Sequence, residues 1–211
     1  MKIPDTIYLY RITHIDNLDF ILKSKVISCP NSDNCDPNFI GIGDSSLIQS
    51  RKSKQIPIVP NGDFSDYVAF YFGARSPMLY NIKNGFKGVT KRKSEDIIYL
   101  ITNFKTVQEN KSKFVFTDGH GYHNFSQFFN KETDLKEVDW KIVNGIQWYD
   151  TEEDPDRKRK KQAEFLIHNE VPISMIGVIV VYNENKKTEI LNKLTENNIE
   201  CNVVVKPNLY Y

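Results

Sequence analysis

The sequence has few cysteines, three among 211 residues, at positions 29, 35 and 201. An odd number without paired spacing argues against a disulfide framework and against a zinc site built on cysteines, and it is typical of a reducing compartment. Long apolar runs are also missing, because the longest, at residues 178–182, is far too short to span a bilayer. The N-terminal segment has no apolar core of the kind that signal peptides carry. We therefore expect a cytoplasmic protein that makes no membrane contact.

Neither sign of charge is in excess, with 28 Lys and Arg against 27 Asp and Glu. This balance excludes a globally basic nucleic-acid binder, although it allows a local basic patch. Hydrophobic residues make up 40% of the chain and charged residues 26%, which is typical of a globular protein. A chain of this length suits one domain, and we expect a single domain over residues 1–211.

Glycine-rich motifs of nucleotide-binding loops do not occur. The sequence contains neither G-x-G-x-x-G after a strand nor G-x-x-x-x-G-K-[ST], and no G-x-S-x-G frames a nucleophile. His120 and His123 are three residues apart, but glycines flank His120 and no third ligand is evident. The pair therefore predicts a polar loop, and we expect no metal site.

Runs of β-branched and aromatic residues predict strands at 7–12, 26–27, 67–72, 97–101, 113–116, 163–167, 176–182 and 202–205. A first helix follows Thr13 and Asp16, which can cap it, and a second is capped by Asp44 and carries Arg51 near its end. A later helix, from about residue 186 to 197, has one apolar face formed by Ile190, Leu191 and Leu194. Few helices separate consecutive strands, so we expect an α+β fold with a mostly mixed or antiparallel sheet.

Two segments hold more polar and aromatic groups than a core needs. Residues 10–14 end a strand in hydrogen-bonding side chains, where ligands often meet a rigid scaffold, although a helix cap and a surface arginine are the simpler interpretation. Residues 66–80 run from an aromatic strand into Arg75, Ser76 and Pro77. Aromatic faces can sandwich a planar ring and an arginine can hold an anion, whereas core packing explains only about half of these aromatics.

A third segment, residues 148–166, joins Trp148 and Tyr149 to five consecutive basic residues at 157–161 and then to Glu164 within an apolar strand. A charge run is usually a solvated face. Aromatic residues next to a basic run are, however, what single-stranded nucleic acid requires, since phosphates need cations and unpaired bases need flat faces. A carboxylate within such a strand must point to solvent, to a partner or into a site.

Taken together, these segments resemble the DarT-type DNA ADP-ribosyltransferase toxins. The resemblance is carried, in order, by LYRITHIDNLDFIL (9–22), GDSSLIQSRKSKQIPI (43–58), DYVAFYFGARSPMLY (66–80), FTDGHG (116–121) and DTEEDPDRKRKKQAEFLIH (150–168). It implies an ADP-ribosyltransferase fold with a split mixed β core that binds NAD as co-substrate without a metal. It also implies transfer of ADP-ribose to thymine or guanine in single-stranded DNA, and reversal by a macrodomain antitoxin, DarG.

The resemblance implies residue roles as well. Glu164 and Arg51 match the residues most closely tied to transfer, and Arg11, Tyr71 and Glu164 occupy the three signature places of the fold. The residues implied at the NAD are Arg11, Thr13, His14, Tyr71, Arg75, Met78 and Tyr80, and those implied at the DNA are His120, Trp148, Tyr149, Arg157, Lys158 and Arg159. Three alternatives stay open: transfer to protein or RNA, hydrolysis of NAD, and a non-catalytic nucleic-acid-binding module. Glu164 and Arg51 argue against the last, which needs no carboxylate in an apolar strand.

Overall fold

A computed structural model describes residues 2–211 of the chain. Within these residues the strands are β1 (Tyr8–His14), β2 (Val26–Ser28), β3 (Tyr67–Tyr71), β4 (Ile97–Asn103), β5 (Phe114–His120), β6 (Phe128–Phe129), β7 (Ala163–His168), β8 (Glu170–Pro172), β9 (Val178–Val181) and β10 (Asn202–Val205). The helices are α1 (Asn17–Ser24), α2 (Ser45–Arg51), α3 (Pro77–Asn84), α4 (Phe104–Glu109), α5 (Trp140–Asn144), α6 (Arg157–Lys161) and α7 (Glu184–Glu196).

Eight strands form one sheet in the order β10-β9-β4-β1-β3-β7-β5-β6, and β2 pairs with β8 in a separate two-stranded sheet. Within residues 2–211, β9 and β10 are parallel and the other strand pairs are antiparallel. The expected α+β fold with a mixed, mostly antiparallel sheet is confirmed. None of the helices in this range combines the length and the apolar character needed to cross a membrane.

Strand β4 is buried on both faces of the sheet. Ile98 and Leu100 belong to the larger hydrophobic cluster, whereas Ile97, Tyr99 and Ile101 belong to a second cluster. Successive side chains of a strand point to opposite faces, so these two sets mark the two sides of the sheet. Because other parts of the chain cover both faces of β4, its sequence is a continuous apolar run.

Aromatic rings fix the ends of β3 and β7 next to each other. The ring of Phe72, just after β3, makes edge-to-face contacts with Phe116, Trp140 and Phe165 at centroid distances of 5.9, 5.3 and 5.8 Å. All four side chains are buried. Such pairs stabilise a structure by about 0.5–1.5 kcal/mol each beyond the area they bury, so Glu164, the neighbour of Phe165, lies on a rigid support.

The start of the chain differs from the sequence prediction. Thr13 does not cap a helix, because β1 continues to His14 and pairs there with β4. Asp16 occupies the N-cap position of α1, but its side chain accepts no capping hydrogen bond. The strand therefore ends two residues later than the sequence predicts, and Thr13 and His14 are part of the sheet.

Three further details differ from the sequence prediction. The predicted strand 176–182 is limited to Val178–Val181, because Ile176 ends a short 3₁₀ turn. His120 ends a strand and is not in a loop. Helix α7 buries Ile190 and Leu194, whereas Leu191 is 42% exposed, so the prediction that Leu191 shares their face was wrong.

Candidate functional site

Three adjacent strands bring the unusual segments of the sequence together. Tyr10 on β1 lies opposite Tyr71 on β3, and Tyr71 lies opposite Glu164 on β7. Residues in register on antiparallel strands are about 4.5–5.5 Å apart. Segments separated by many residues along the chain therefore meet in one row across the middle of the sheet.

Glu164 is buried and is held by an arginine 113 residues away. Its side chain accepts two hydrogen bonds from Arg51, Nη1 to Oε1 at 2.9 Å and Nη2 to Oε2 at 2.8 Å. Glu164 is 1% exposed, whereas the Arg51 side chain keeps 17% of its surface accessible. The carboxylate predicted to face solvent, a partner or a site thus has a bidentate cationic partner, the strongest form of such a pair.

Helix α2 positions Arg51. The Asp44 carboxylate caps the helix, as the sequence predicts, by accepting hydrogen bonds from the backbone N–H groups of Ser46 and Leu47 at 3.0 and 3.1 Å. The guanidinium carbon of Arg51 lies 4.4 Å from the centroid of the Phe64 ring, a cation–π distance. Burial alone would lower the pKa of Arg51, but Glu164 outweighs burial and raises it.

The turn after β5 packs tightly against the carboxylate. A Cβ atom on Gly121 would lie 2.7 Å from Glu164 Oε2 and 2.7 Å from the Phe64 ring, so no larger residue fits without a shift. On the strand itself, the Glu164 backbone N–H donates to Thr117 Oγ1 at 3.1 Å. Sequence reasoning missed Gly121 and Phe64; the glycine after His120 in FTDGHG was the available signal.

A cleft of about 320 Å³ opens beside the ion pair. Its lining includes Arg11, Thr13, Arg51, Tyr71 and Met78, together with many apolar side chains. The Tyr71 hydroxyl lies 3.9 Å from Met78 Sδ, and burial, followed by the charge of Glu164, raises the pKa of Tyr71. Tyr71 is therefore a neutral donor between the ion pair and the cleft.

Arg11 is a cation without a carboxylate partner within the described residues. Its Nη1 donates to the carbonyl of Ala69 at 3.0 Å, while its Nε is buried and has no acceptor. Burial lowers the pKa of Arg11 to about 10. Because a buried donor without an acceptor is costly, this guanidinium is suited to an anion or a hydroxyl group that enters the cleft.

Comparison with known proteins identifies the family. The sequence pattern of the family described as "ssDNA thymidine ADP-ribosyltransferase, DarT" matches residues 10–211. A DNA ADP-ribosyl transferase of Escherichia coli O127:H6 is 33% identical over 99% of this chain and 95% of that protein. The chain belongs to the DarT family. It is thus a DNA ADP-ribosyltransferase by descent, and the resemblance seen in the sequence is confirmed.

Solved structures confirm the fold. The DarT of Thermus sp. 2.9 in complex with ADP-ribosylated single-stranded DNA has a TM-score of 0.93 and 32% identity, and the match covers 100% of this chain and 99% of that one. The same Thermus protein in complex with NAD+ has a TM-score of 0.87 and 31% identity, with all of both chains covered. A transferase–glycohydrolase fusion protein of Thermosipho africanus is 26% identical over 96% of this chain and 49% of the fusion.

The structure separates the residues that the DarT resemblance places at NAD. Arg11, Thr13, Tyr71 and Met78 line the cleft. The other three, His14, Arg75 and Tyr80, lie outside its lining. His14 is buried next to Asp16, whose backbone N–H donates to His14 Nδ1 at 3.3 Å. The assignment of all seven residues to NAD remains a prediction.

Arg75 and Tyr80 are engaged with the last residues of the chain. Arg75 Nε donates to the carbonyl of Tyr210 at 3.2 Å, and its Nη2 donates to that of Asn208. The Tyr80 ring lies 5.0 Å from that of Trp148 and 5.3 Å from that of Tyr211. Tyr80, predicted at NAD, therefore contacts a residue predicted at DNA.

Of the residues predicted at DNA, His120 lies near the ion pair, whereas Trp148 and Tyr149 contact Tyr80 and each other. His120 ends β5 opposite Ala163, the residue before Glu164, and burial lowers its pKa, so the ring is neutral near pH 7. Trp148 and Tyr149 lie in the loop between α5 and α6, where Tyr149 is 57% exposed. Within residues 2–211, no three His, Cys, Asp or Glu side chains gather as a metal site.

The basic run forms helix α6 and is largely paired. Arg157 Nε lies 3.0 Å from Asp154, and Arg159 contacts Asp156 at 2.7 Å and Asp118 at 3.1 Å. Lys161 is buried. Lys158 has no ion pair through its side chain within the described chain. Asp154 and Asp156, which precede α6, and Asp118 on β5 therefore neutralise part of the run, and the assignment of Arg157, Lys158 and Arg159 to DNA stays a prediction.

Proposed function

We propose that the protein transfers ADP-ribose from NAD+ to a ring nitrogen of thymine in single-stranded DNA and releases nicotinamide. The observation that carries this proposal is the buried, bidentate Arg51–Glu164 pair at the edge of an apolar cleft. The family description and the structures of the Thermus protein in complex with NAD+ and with ADP-ribosylated single-stranded DNA support the choice of both substrates.

The cleft suits a dinucleotide. Its volume of about 320 Å³ lies within the range of small-molecule pockets, roughly 300–1,000 Å³. The guanidinium of Arg11 offers an unused buried Nε to a phosphate or ribose oxygen, and Thr13 lines the same wall. Met78 and Tyr71 cover the end of the cleft next to Arg51, where a flat nicotinamide ring packs well against a thioether and an aromatic face.

Glu164 has the main chemical role. NAD+ supplies an ADP-ribosyl group whose bond to nicotinamide breaks as positive charge develops on the ribose. A carboxylate fixed nearby stabilises that charge, because its position is set before the reaction and water is excluded from around it. The Arg51 guanidinium and the Thr117 hydroxyl hold the residue from its side chain and its backbone, so little reorganisation is needed.

Arg51 links the carboxylate to the cleft. It contacts both oxygens of Glu164 and also lines the cleft, so its planar guanidinium is available to an acceptor base that enters the cleft. A planar donor fork can bind the carbonyl oxygens of a thymine ring as well as a carboxylate. Release of one oxygen of Glu164 by Arg51 would leave that oxygen free to accept the proton that the base loses on transfer.

The acceptor chemistry explains a requirement for single strands. In DNA, thymine has one ring nitrogen that carries a hydrogen, and this N–H lies on the edge that pairs with adenine. A duplex covers this edge, whereas an unpaired strand presents it to the enzyme. Tyr149 is exposed and Trp148 packs on Tyr80, so this loop offers aromatic faces on which neighbouring bases can stack.

We also propose that a macrodomain antitoxin of the DarG type removes the modification in the cytoplasm. The Thermosipho relative, named as a fusion of a transferase with a DNA ADP-ribosyl glycohydrolase, supports this pairing. The three cysteines are free thiols, as expected for a reducing compartment.

The proposal is tested by incubating the purified protein with NAD+ labelled in its adenylate and with oligonucleotides that contain or lack thymine. We expect label on the thymine-containing single strand, none on the same strand in a duplex, and a rate of labelling lower by roughly 10²–10³ with Glu164→Gln. Release of free ADP-ribose alone would instead identify an NAD hydrolase. Label on a protein or RNA substrate but not on DNA would indicate a different acceptor, since fold does not fix the acceptor.

A further inference from the structure

Lys161, the last residue of α6, is a buried lysine that the proposed chemistry does not use. It is 3% exposed and lies three residues before Glu164. Its Nζ donates to the carbonyl of Val143 at 2.7 Å and to that of Gly145 at 2.6 Å. A buried ammonium is retained only where it is well bonded, and these short distances are typical of charge-assisted hydrogen bonds.

The two carbonyls lie where α5 ends and the loop at residues 145–156 begins. Val143 lies in the last turn of α5, and Gly145 is the residue that ends this helix. Carbonyls in the last turn of a helix have no partner within the helix and attract cations. The loop that they begin carries Trp148 and Tyr149, so Lys161 binds the point from which the proposed DNA-contacting residues extend.

The same carbonyl is approached by Gly73, two residues after the strand that carries Tyr71. A Cβ atom on Gly73 would lie 2.0 Å from the Val143 carbonyl oxygen, so only glycine allows this approach. Gly73, just after β3, and Lys161, three residues before Glu164, therefore meet at one backbone oxygen. A shift of the loop would have to break the bonds of Lys161 or move away from Gly73.

We propose that Lys161 is a positioning residue, which fixes the loop at residues 145–156 relative to Glu164 by binding the carbonyls of Val143 and Gly145. The proposal rests on the proposed function for its effect on DNA, but not for the contact itself. A direct phosphate contact, as the basic run predicts from the sequence, is excluded for Lys161 by its burial. Burial, with a smaller contribution from Arg75, lowers the pKa of Lys161 to about 8, so the ammonium is charged at pH 7.

The test compares Lys161→Met with Lys160→Met, which removes the same charge from a neighbouring residue that is partly exposed and pairs with Asp156. Hydrogen exchange of the free protein is followed at residues 145–156 and in β7. We expect exchange in the loop of Lys161→Met to be at least about tenfold faster, since the loss of one charged hydrogen bond has this effect and the variant loses two, with β7 unchanged. Lys160→Met should leave both regions unchanged.

Steady-state kinetics provide the second readout. Lys161→Met should raise the KM for a thymine-containing oligonucleotide about tenfold and leave the KM for NAD+ within about twofold. Equal exchange in Lys161→Met and the wild type, or equal effects of the two variants, would overturn the proposal. If Lys161→Met does not fold, Lys161→Gln, which keeps two N–H donors on a shorter side chain, replaces it in the same comparison. Because exchange needs neither substrate, a failure of DNA transfer in the wild type would contradict the proposed function alone.

Discussion

At the scale of residues, the Arg51–Glu164 pair combines burial with full use of both carboxylate oxygens, at 2.9 and 2.8 Å. Removing one member of such a pair leaves the other charge buried without a partner, which typically costs about 3–5 kcal/mol of stability. The pair therefore contributes to the fold as well as to the chemistry. Substitutions here have to be assessed by stability and by activity together.

Replacing Glu164 with glutamine separates the two contributions. Glu164→Gln keeps the size of the side chain but removes the charge, so we expect a lower melting temperature and a loss of roughly 10²–10³ in the rate of transfer. The rate is measured with labelled NAD+ at a temperature where circular dichroism shows that both proteins are folded. Wild-type turnover by the folded variant would exclude Glu164 as the catalytic carboxylate.

Arg51→Lys tests the bidentate geometry. Lysine keeps the charge but is a point donor, so it cannot bind both oxygens of Glu164 in parallel or present a planar fork to the cleft. We expect turnover to fall steeply, close to the level of Arg51→Ala. A kinetic comparison of the three proteins checks this, and near wild-type turnover of Arg51→Lys would contradict a bidentate role.

The lowered pKa of Lys161 predicts that the stability of the protein depends on pH. Its pKa is lowered to about 8 by burial in the native state and is about 10.4 in the unfolded chain. Between about pH 8 and about pH 10 the unfolded state binds the extra proton, so this group makes the free energy of unfolding rise with pH, by at most about 1.4 kcal/mol per unit.

Other groups, including buried tyrosines, titrate in the same range, so the comparison is made against Lys161→Met. Denaturant unfolding across this range should show that the wild type gains stability relative to the variant as the pH rises. A constant difference between the two proteins would show that Lys161 has an ordinary pKa.

At the scale of elements, helix α6 shows how local pairing changes a prediction made from composition. Arg159 is bound by Asp156 and Asp118, whereas Lys158 has no ion pair through its side chain in the part of the chain described here. A phosphate contact contributes about −0.7 to the salt slope for a single strand. We therefore expect Lys158→Gln to flatten the salt dependence of oligonucleotide binding by about this amount.

Arg159→Gln should act differently from Lys158→Gln. It removes a largely buried side chain that joins α6 to β5, so we expect a lower melting temperature and a small change in the salt slope. Fluorescence titrations at several salt concentrations, with melting curves, distinguish the two variants. If the slopes of both variants equal that of the wild type, α6 is a solvated face without phosphate contacts.

The sequence predicts most elements because their signals are local. The Asp44 cap and the strand at β7 follow from neighbouring residues. The end of β1 was missed because its last residues, Thr13 and His14, are extended by pairing with β4, which is a non-local effect. Propensity gives a residue's preference, whereas sheet pairing decides its conformation.

At the scale of the whole molecule, strand order creates the site. Strands β1, β3 and β7 are neighbours in the sheet although they are far apart in the chain, and α2 reaches the row from one side. Local pattern singled out Glu164 as a carboxylate within an apolar strand, whereas the catalytic role of Arg51 came from the family resemblance. Neither gave a sign that the two residues bind each other across 113 residues. It also could not show that the C-terminal residues would engage Arg75 and Tyr80.

The central claim is transfer of ADP-ribose to the ring N–H of an unpaired thymine. The most direct measurement is mass spectrometry of two single-stranded oligonucleotides after incubation with the protein and NAD+, one with a single thymine and one with a single N3-methylthymine at the same position. We expect a mass increase of one ADP-ribosyl group on the first oligonucleotide and none on the second. Equal modification of both oligonucleotides, or modification of neither while NAD+ is consumed, would contradict it.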